Sequence, residues 1–364
     1  MKILELISAI EVFAAPGLQE DYDNAGLITG HASWSCTGVL CTLDVTPNVV
    51  KEALAKGCNM IVAHHPILFN GLKKLNGNNY VERVLIEAIK HDVAIYAAHT
   101  NLDNVVLGVS GKMAEKLNLK NITVLQPKNK LLRKLITFVP EGAASQLRQA
   151  LFEAGAGHIG NYSECSFNTN GVGTFKAETG ANPHIGEVGK QHQEGETKIE
   201  MVFPFYLEQQ VVQRLKQNHP YEEVAYDIIT MENAHPQIGS GVIGQLENEM
   251  SEQEFLQLLT ETFSAKGIRH TALLNKPIKK VALCGGSGSF LIKKARQAGA
   301  DVYITADVKY HEFFDAEGQM LIADIGHYES EQFTVELLHG LLVEKFPTFA
   351  VLKSGVETNP VLYF

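Results

Sequence analysis

Residues 59–69 read NMIVAHHPILF: a short apolar run, two adjacent histidines, then a proline. Met60–Ala63 has the look of a buried strand, and Pro66 stops it from continuing. A solvated turn at that point would more cheaply use Gly, Asn or Asp. His64 and His65 therefore pose a choice between ordinary turn residues and metal ligands.

The same rhythm extends on both sides. Residues 39–43 read as a strand stopped by Asp44, with Thr46 as an N-cap and Pro47 as the first-turn residue of a helix reaching Lys56. A helix is expected over residues 80–91. Residues 93–98 form the next strand, ending in His99-Thr100-Asn101-Leu102-Asp103. The last third repeats the layout. Residues 280–284 run into Gly285-Gly286-Ser287-Gly288 and a helix to Gln297. Residues 302–305 lead to Asp307 and a helix carrying His311. Residues 320–324 lead to His327 and one long helix to Lys345. Short apolar strands alternating with helices predict an α/β fold with a buried, largely parallel sheet. The two ends share a layout without sharing a sequence, which suggests a duplicated core.

The middle differs. It reads as strand, helix, a hairpin made of NYSECSFNTNG and VGTFKAE, a strand, a helix and a last strand, the order of a ferredoxin-like α+β module. Polar stretches near 126–130 and 233–241 look like linkers. The resulting parse is a discontinuous α/β metal-binding domain, residues 1–128 plus 235–364, with residues 129–234 inserted.

Composition narrows the function. The 364 residues are 45% apolar and 20% charged, with a formal net charge of −10. That balance argues against nucleic acid as a partner, which needs clustered Lys and Arg. Cys36, Cys41, Cys58, Cys165 and Cys284 are scattered and contain no CxxC pair, so neither a disulfide scaffold nor a thiolate zinc site is expected. Glu5 and Glu11 interrupt the apolar N-terminus at helical spacing, which reads as an amphipathic helix and not a signal peptide. No run has the length of a membrane span. A reduced, cytoplasmic setting is the expectation.

In α/β sheets ligands bind beyond the carboxyl ends of the strands. Asp44, His64 with His65, His99 with Asp103, and His327 with Glu331 all fall there, at the ends of what reads as one sheet. Imidazole and carboxylate donors together suit a divalent transition metal. Glu331 stands four residues after His327, so both lie on one helical face and reach one site. Adjacent residues leaving a strand point different ways, so His64 and His65 would serve two close ions, with Glu331 or Asp103 between them. Asp44 and Asp307 stand open between the site and helix N-caps. His311 stands open between a supporting role and solvent. His31, His91, His192, His270 and His339 read as surface or packing residues. Gly285, Gly286, Ser287 and Gly288 open a helix after a strand, where backbone N–H groups can hold a phosphate. The loop lacks the P-loop Lys, and a tight turn explains it as well.

As a set, VAHHPILF, AAHTNLDN, CGGSGSF, YITADVKYHEFFDA and DIGHYESE resemble the motifs of the NIF-three-like family, whose members are often named GTP cyclohydrolase 1 type 2 homologs. DYDNAGLITG fits too, with Tyr22 where the family pattern has Trp. GHIGNYSECSF, GTFKAETGANPHIG and HPYEEVAYDI are similar to the insert of longer members, of the PII/CutA kind. The resemblance implies two divalent metal ions (zinc, iron or manganese) on His64, His65, Asp103, His327 and Glu331, and a homohexamer. It implies a hydrolase acting on a small, nucleotide-like substrate, in which metal-activated water attacks an electrophilic carbon or a phosphoryl centre. His99 is then a candidate proton shuttle. The alternative is a non-enzymatic, metal-binding regulatory protein.

Overall fold

The computed structural model describes residues 1–364. The chain packs into two compact units, one joining Met1–Pro127 with Gln237–Phe364 and the other spanning Lys128–Pro236.

The first unit contains two sheets. In one, Val39–Thr42, Met60–Ala63 and Ala94–Ala97 run parallel. Val351–Lys353 adds a parallel strand beside Val39–Thr42, and Gly26–Thr29 pairs antiparallel with Ala94–Ala97 at the opposite edge. Every residue of the three central strands is buried, as a parallel sheet covered on both faces requires. Val49, Val50 and Ala53 of the helix Pro47–Ala55, and Val84, Leu85 and Ala88 of the helix Tyr80–Lys90, pack on Leu40, Ile61 and Ile95. Burial of such side chains stabilises by about 1.5–3 kcal/mol each. Thr46 caps the first of these helices by accepting from the Val49 N–H, which leaves Asp44 free of that duty.

The second sheet orders its strands Arg269–His270, Leu321–Asp324, Val302–Ala306, Ile278–Ser287, Gly239–Met250 and Lys120–Pro127. The pairs within Leu321–Asp324, Val302–Ala306 and Ile278–Ser287 are parallel, and the outer pairs are antiparallel. Its core gathers Phe255, Phe263, Val281, Leu283 and Ile304. Ser251 and Glu254 form a capping box that starts the helix Glu252–Phe263.

Two sheets therefore replace the single sheet read from the sequence. Gly26–Thr29 and Val351–Lys353 are too short for any period to show. The expected linkers are partly strand, since Gln126 pairs with Ser240 and Pro127 with Gly239. The long last helix is broken into His327–Glu331 and Thr334–Lys345. At the break Phe333 packs on Phe263, and the Gln332 side chain donates to the carbonyls of Phe263 and Glu329. His311 sits on a 3₁₀ turn, Tyr310–Ala316, exposed between Tyr310 and Phe314.

In the second unit the strands Leu132–Pro140, Phe167–Lys176, Gln191–Pro204 and Tyr226–Met231 form one antiparallel sheet. Its order is Phe167–Lys176, Gln191–Pro204, Leu132–Pro140, Tyr226–Met231. Leu147 and Leu151 of the helix Ala144–Glu153, and Val211 and Leu215 of Glu208–Asn218, bury against Leu135, Ile199 and Phe203. The expected hairpin within residues 161–178 does not form. Asn170-Gly171 looks like a turn pair, but Gly171 pairs with Glu196 inside a continuous strand running from Phe167 to Lys176. The long partner strand overrides the local turn preference. No helix of the chain is long and apolar enough to cross a membrane.

Candidate metal centre

The carboxyl ends of the parallel strands from both sheets of the first unit converge on one centre. His64 leaves the strand Met60–Ala63 with its N–H still bonded to the carbonyls of Thr42 and Leu43, and its ring is fully buried. His65 follows, its ring centroid 4.8 Å from that of His64. Asp103 ends a one-turn helix, Thr100–Asp103, that begins after His99. His327 and Glu331 occupy one helical face beyond the strand Leu321–Asp324.

Glu331 is the hub. Its Oε2 lies 2.9 Å from His65 Nε2 and 3.0 Å from His327 Nε2. Its Oε1 lies 3.8 Å from His64 Nε2, which stands 3.6 Å from Asp103 Oδ1. The His65 and His327 Nε2 atoms are 3.4 Å apart. Three groups thus have donor atoms within 4.8 Å of one another: His65, His327 and Glu331; His64, Asp103 and Glu331; and His64, His65 and His99.

Each of these four imidazoles is held by its far nitrogen. His64 Nδ1 donates to the Ala98 carbonyl at 2.8 Å, His65 Nδ1 to Asp44 at 2.7 Å, His99 Nδ1 to Asp23 at 2.7 Å and His327 Nδ1 to Asp307 at 2.7 Å. Carbonyls and carboxylates only accept here, so Nδ1 keeps a proton and Nε2 is the nitrogen left to face the centre. This is how metal-ligating histidines are ordinarily oriented. Buried His64 Nε2 and Asp103 Oδ1 have no hydrogen-bond partner. Leaving such groups unpaired costs about 1–3 kcal/mol each, more for charged ones. A cation placed among them removes that cost, so the donor set fits a divalent ion bound by nitrogen and oxygen.

The electrostatics agree. Burial disfavours a charged His65, but its bonds to Asp44 and Glu331 outweigh burial and raise its pKa to about 10. Burial likewise opposes charge on His327, and Glu331 and Asp307 raise it to about 9. Burial, then the Glu331 charge, pushes Asp103 up to about 7. Burial works against the Glu331 charge as well, yet His64, His327 and His65 around it hold it well below the usual carboxylate range. Metal-free, the centre therefore balances its carboxylates with protons on imidazoles, and a metal ion displaces those protons.

Sequence reasoning missed Asp23 as a partner of His99 and left Asp44 and Asp307 open. Asp23 is doubly fixed: Oδ2 accepts from the Thr100 N–H at 3.0 Å and the Thr100 hydroxyl at 2.5 Å. The available signal was chemical. Every ligating histidine needs an acceptor for its other nitrogen, so as many acceptors as histidines should have been sought. Replacing Asp307 with Ala should weaken metal binding by about 10- to 100-fold, chiefly at the group containing His327. Metal titration of the metal-free protein checks this; an unchanged isotherm would contradict the role of Asp307.

In the glycine loop, which the sequence leaves open between a phosphate cradle and a tight turn, N–H groups are used within the fold. The N–H groups of Gly285, Gly286 and Gly288 already donate to Ser110, Ser330 and Thr305 hydroxyls, at 3.3, 2.9 and 2.9 Å. The Ser330 hydroxyl in turn donates to the His327 carbonyl at 2.8 Å, so the loop anchors the helix that carries His327 and Glu331. The centre opens into a cavity of about 810 Å³, rimmed by Tyr22, Phe69, Tyr80 and Phe290, and lined also by Gly285 and Ser287. Phe69 meets the His99 ring edge-on, with centroids 5.7 Å apart.

The whole chain matches known proteins. The family model Duf34/NIF3 (NGG1p interacting factor 3) matches residues 1–360. A Bacillus subtilis (strain 168) protein named GTP cyclohydrolase 1 type 2 homolog is 38% identical over 364 residues, 99% of this chain and 98% of the relative. A protein of the same name from Halalkalibacterium halodurans is 40% identical over 363 residues, 98% of each. The crystal structure of a Bacillus cereus protein related to NIF3 superimposes with a TM-score of 0.87 at 36% identity, covering 100% of this chain and 99% of that one. With its motifs, its fold and its full length all matched, the chain belongs to the Duf34/NIF3 family.

Proposed function

We propose that the chain is a dinuclear, metal-dependent hydrolase acting on a nucleotide-like substrate. The observation that carries the reading is the division of Glu331: one oxygen faces His65 and His327, the other faces His64, which stands beside Asp103. Glu331 so placed would be shared by two ions, which when bound would supply an activated water and Lewis-acid polarisation of the substrate. His64 with Asp103 would hold one ion, and His65 with His327 the other.

The remaining residues have separable tasks. His99 presents Nε2 as a proton acceptor, while Asp23 behind it stabilises the imidazolium that results. Burial opposes the Asp23 charge, but the bonds from His99 and Thr100 outweigh it and hold its carboxyl below the usual range, so it stays ionised. The aromatic rim offers stacking surfaces to a planar base. His99→Gln should lower turnover by about 10²- to 10⁴-fold while leaving the metal content intact. A screen across nucleotides, run beside elemental analysis, tests the reading. A chain with full metal and no turnover on any nucleotide would exclude a nucleotide hydrolase.

The regulatory alternative draws on the second unit, where a cavity of about 690 Å³ is lined by Phe175, Tyr221 and His184 among others. Its strand order supports a ferredoxin-like module of the PII/CutA kind. The five unpaired cysteines support a reducing, cytoplasmic compartment. The proposed homohexamer rests on the family resemblance, and light scattering on the purified protein tests it.

A further inference from the structure

We propose that Thr358, on the C-terminal tail, is a positioning residue for the metal centre, holding His65 through Asp44. The inference rests on the metal-binding reading above. The strand Val351–Lys353 pairs with Val39–Thr42, so the tail leaves the sheet beside Asp44. It is then tied down stepwise. The Ser354 N–H donates to the Cys41 carbonyl at 2.8 Å. The Ser354 hydroxyl and the Gly355 N–H donate to the two oxygens of Glu52, at 2.5 and 2.9 Å. The Thr358 hydroxyl donates to Asp44 Oδ2 at 2.6 Å, and Asn359 Nδ2 donates to Glu329 at 3.2 Å. Thr358 and Pro360 line the cavity above the histidines.

Asp44 is thus held at both oxygens. Oδ1 accepts from His65 Nδ1 at 2.7 Å, and Oδ2 accepts from Thr358. A carboxylate fixed at one oxygen pivots about that bond; fixed at two, it sets the plane of the imidazole it holds. His99 has the same device built locally, because Thr100, its immediate neighbour, locks Asp23. For His65 the lock arrives from 314 residues away. The other imidazoles are served from elsewhere, His64 by the Ala98 carbonyl and His327 by Asp307. Loss of Thr358 should therefore be felt selectively, at the group of His65, His327 and Glu331.

Cobalt(II) is the probe, because its visible spectrum reports ligand geometry. Titration of the metal-free chain should resolve two equivalents. Thr358→Val should weaken one of them by about 10-fold and alter its spectrum, leaving the other in place; Thr358→Ser, which restores the hydroxyl, should recover both. A chain ending at Lys353 should behave as Thr358→Val does. Melting curves of the metal-free variants show whether they are folded, and Thr358→Ser carries the test if the valine variant is not. Equal binding by the parent and Thr358→Val overturns the positioning role alone. A parent that takes up no cobalt overturns the metal reading, and the role of Thr358 with it.

Discussion

On the dinuclear reading proposed above, replacing Glu331 with Gln should strip the protein of both metal ions, with metal affinity down by at least 100-fold and hydrolysis lost. The expectation follows from the position of its two oxygens, one toward His65 and His327 and the other toward His64. No other carboxylate belongs to two of the three groups of potential ligands. The amide keeps the size of the side chain and removes its charge, which separates loss of metal from loss of packing. Alanine is a harsher change. Removing one partner from a buried charge cluster costs about 3–5 kcal/mol, because charged imidazoles are left without their anion. Asp103→Asn should behave differently, since Asp103 touches only the His64 group, and should cost one ion. Elemental analysis of the parent and both variants decides. Two ions retained by Glu331→Gln would rule out a shared bridge, and one ion in the parent would rule out the dinuclear reading.

The second large effect is expected at Gly286. This residue has φ +62°, and a Cβ there would lie 2.3 Å from Glu331 Oε1 and 3.4 Å from His327 Cε1. The backbone comes that close because the Gly286 N–H reaches the Ser330 hydroxyl. Gly286→Val adds left-handed strain of about 1–3 kcal/mol, for a β-branched residue near the upper end. It also pushes Glu331 away from the histidines. At roughly 2–4 °C per kcal/mol, the melting temperature should fall by about 5–10 °C. Gly71→Ala is the control, since nothing lies within 4 Å of its added Cβ and its φ is ordinary. Metal binding should weaken in Gly286→Val and not in the control. A Gly286→Val protein that melts and binds like the parent would show that the loop has room the geometry denies it.

Much of the centre was legible in the chain. Short apolar runs followed closely by His64-His65, His99 and His327 are locally wasteful unless the polar groups have a use. The His327/Glu331 spacing follows from helical geometry alone. Strand and helix positions in the first third came from periodicity and from the Thr46-Pro47 start signal. What only the tertiary structure decided is pairing over distance. Which sheet a strand joins is not written in its own residues, so the two sheets read as one. His65 and His327 are 262 residues apart in sequence, and Thr358 and Asp44 are 314 apart; no local pattern encodes either contact. Asn170-Gly171 carries a turn preference, and the ladder with Gln191–Pro204 outweighs it because each added pair supports the next. The glycine loop had the composition of a phosphate site. Its N–H groups were committed by Ser110, Ser330 and Thr305, three hydroxyls that reach it only after the chain has folded.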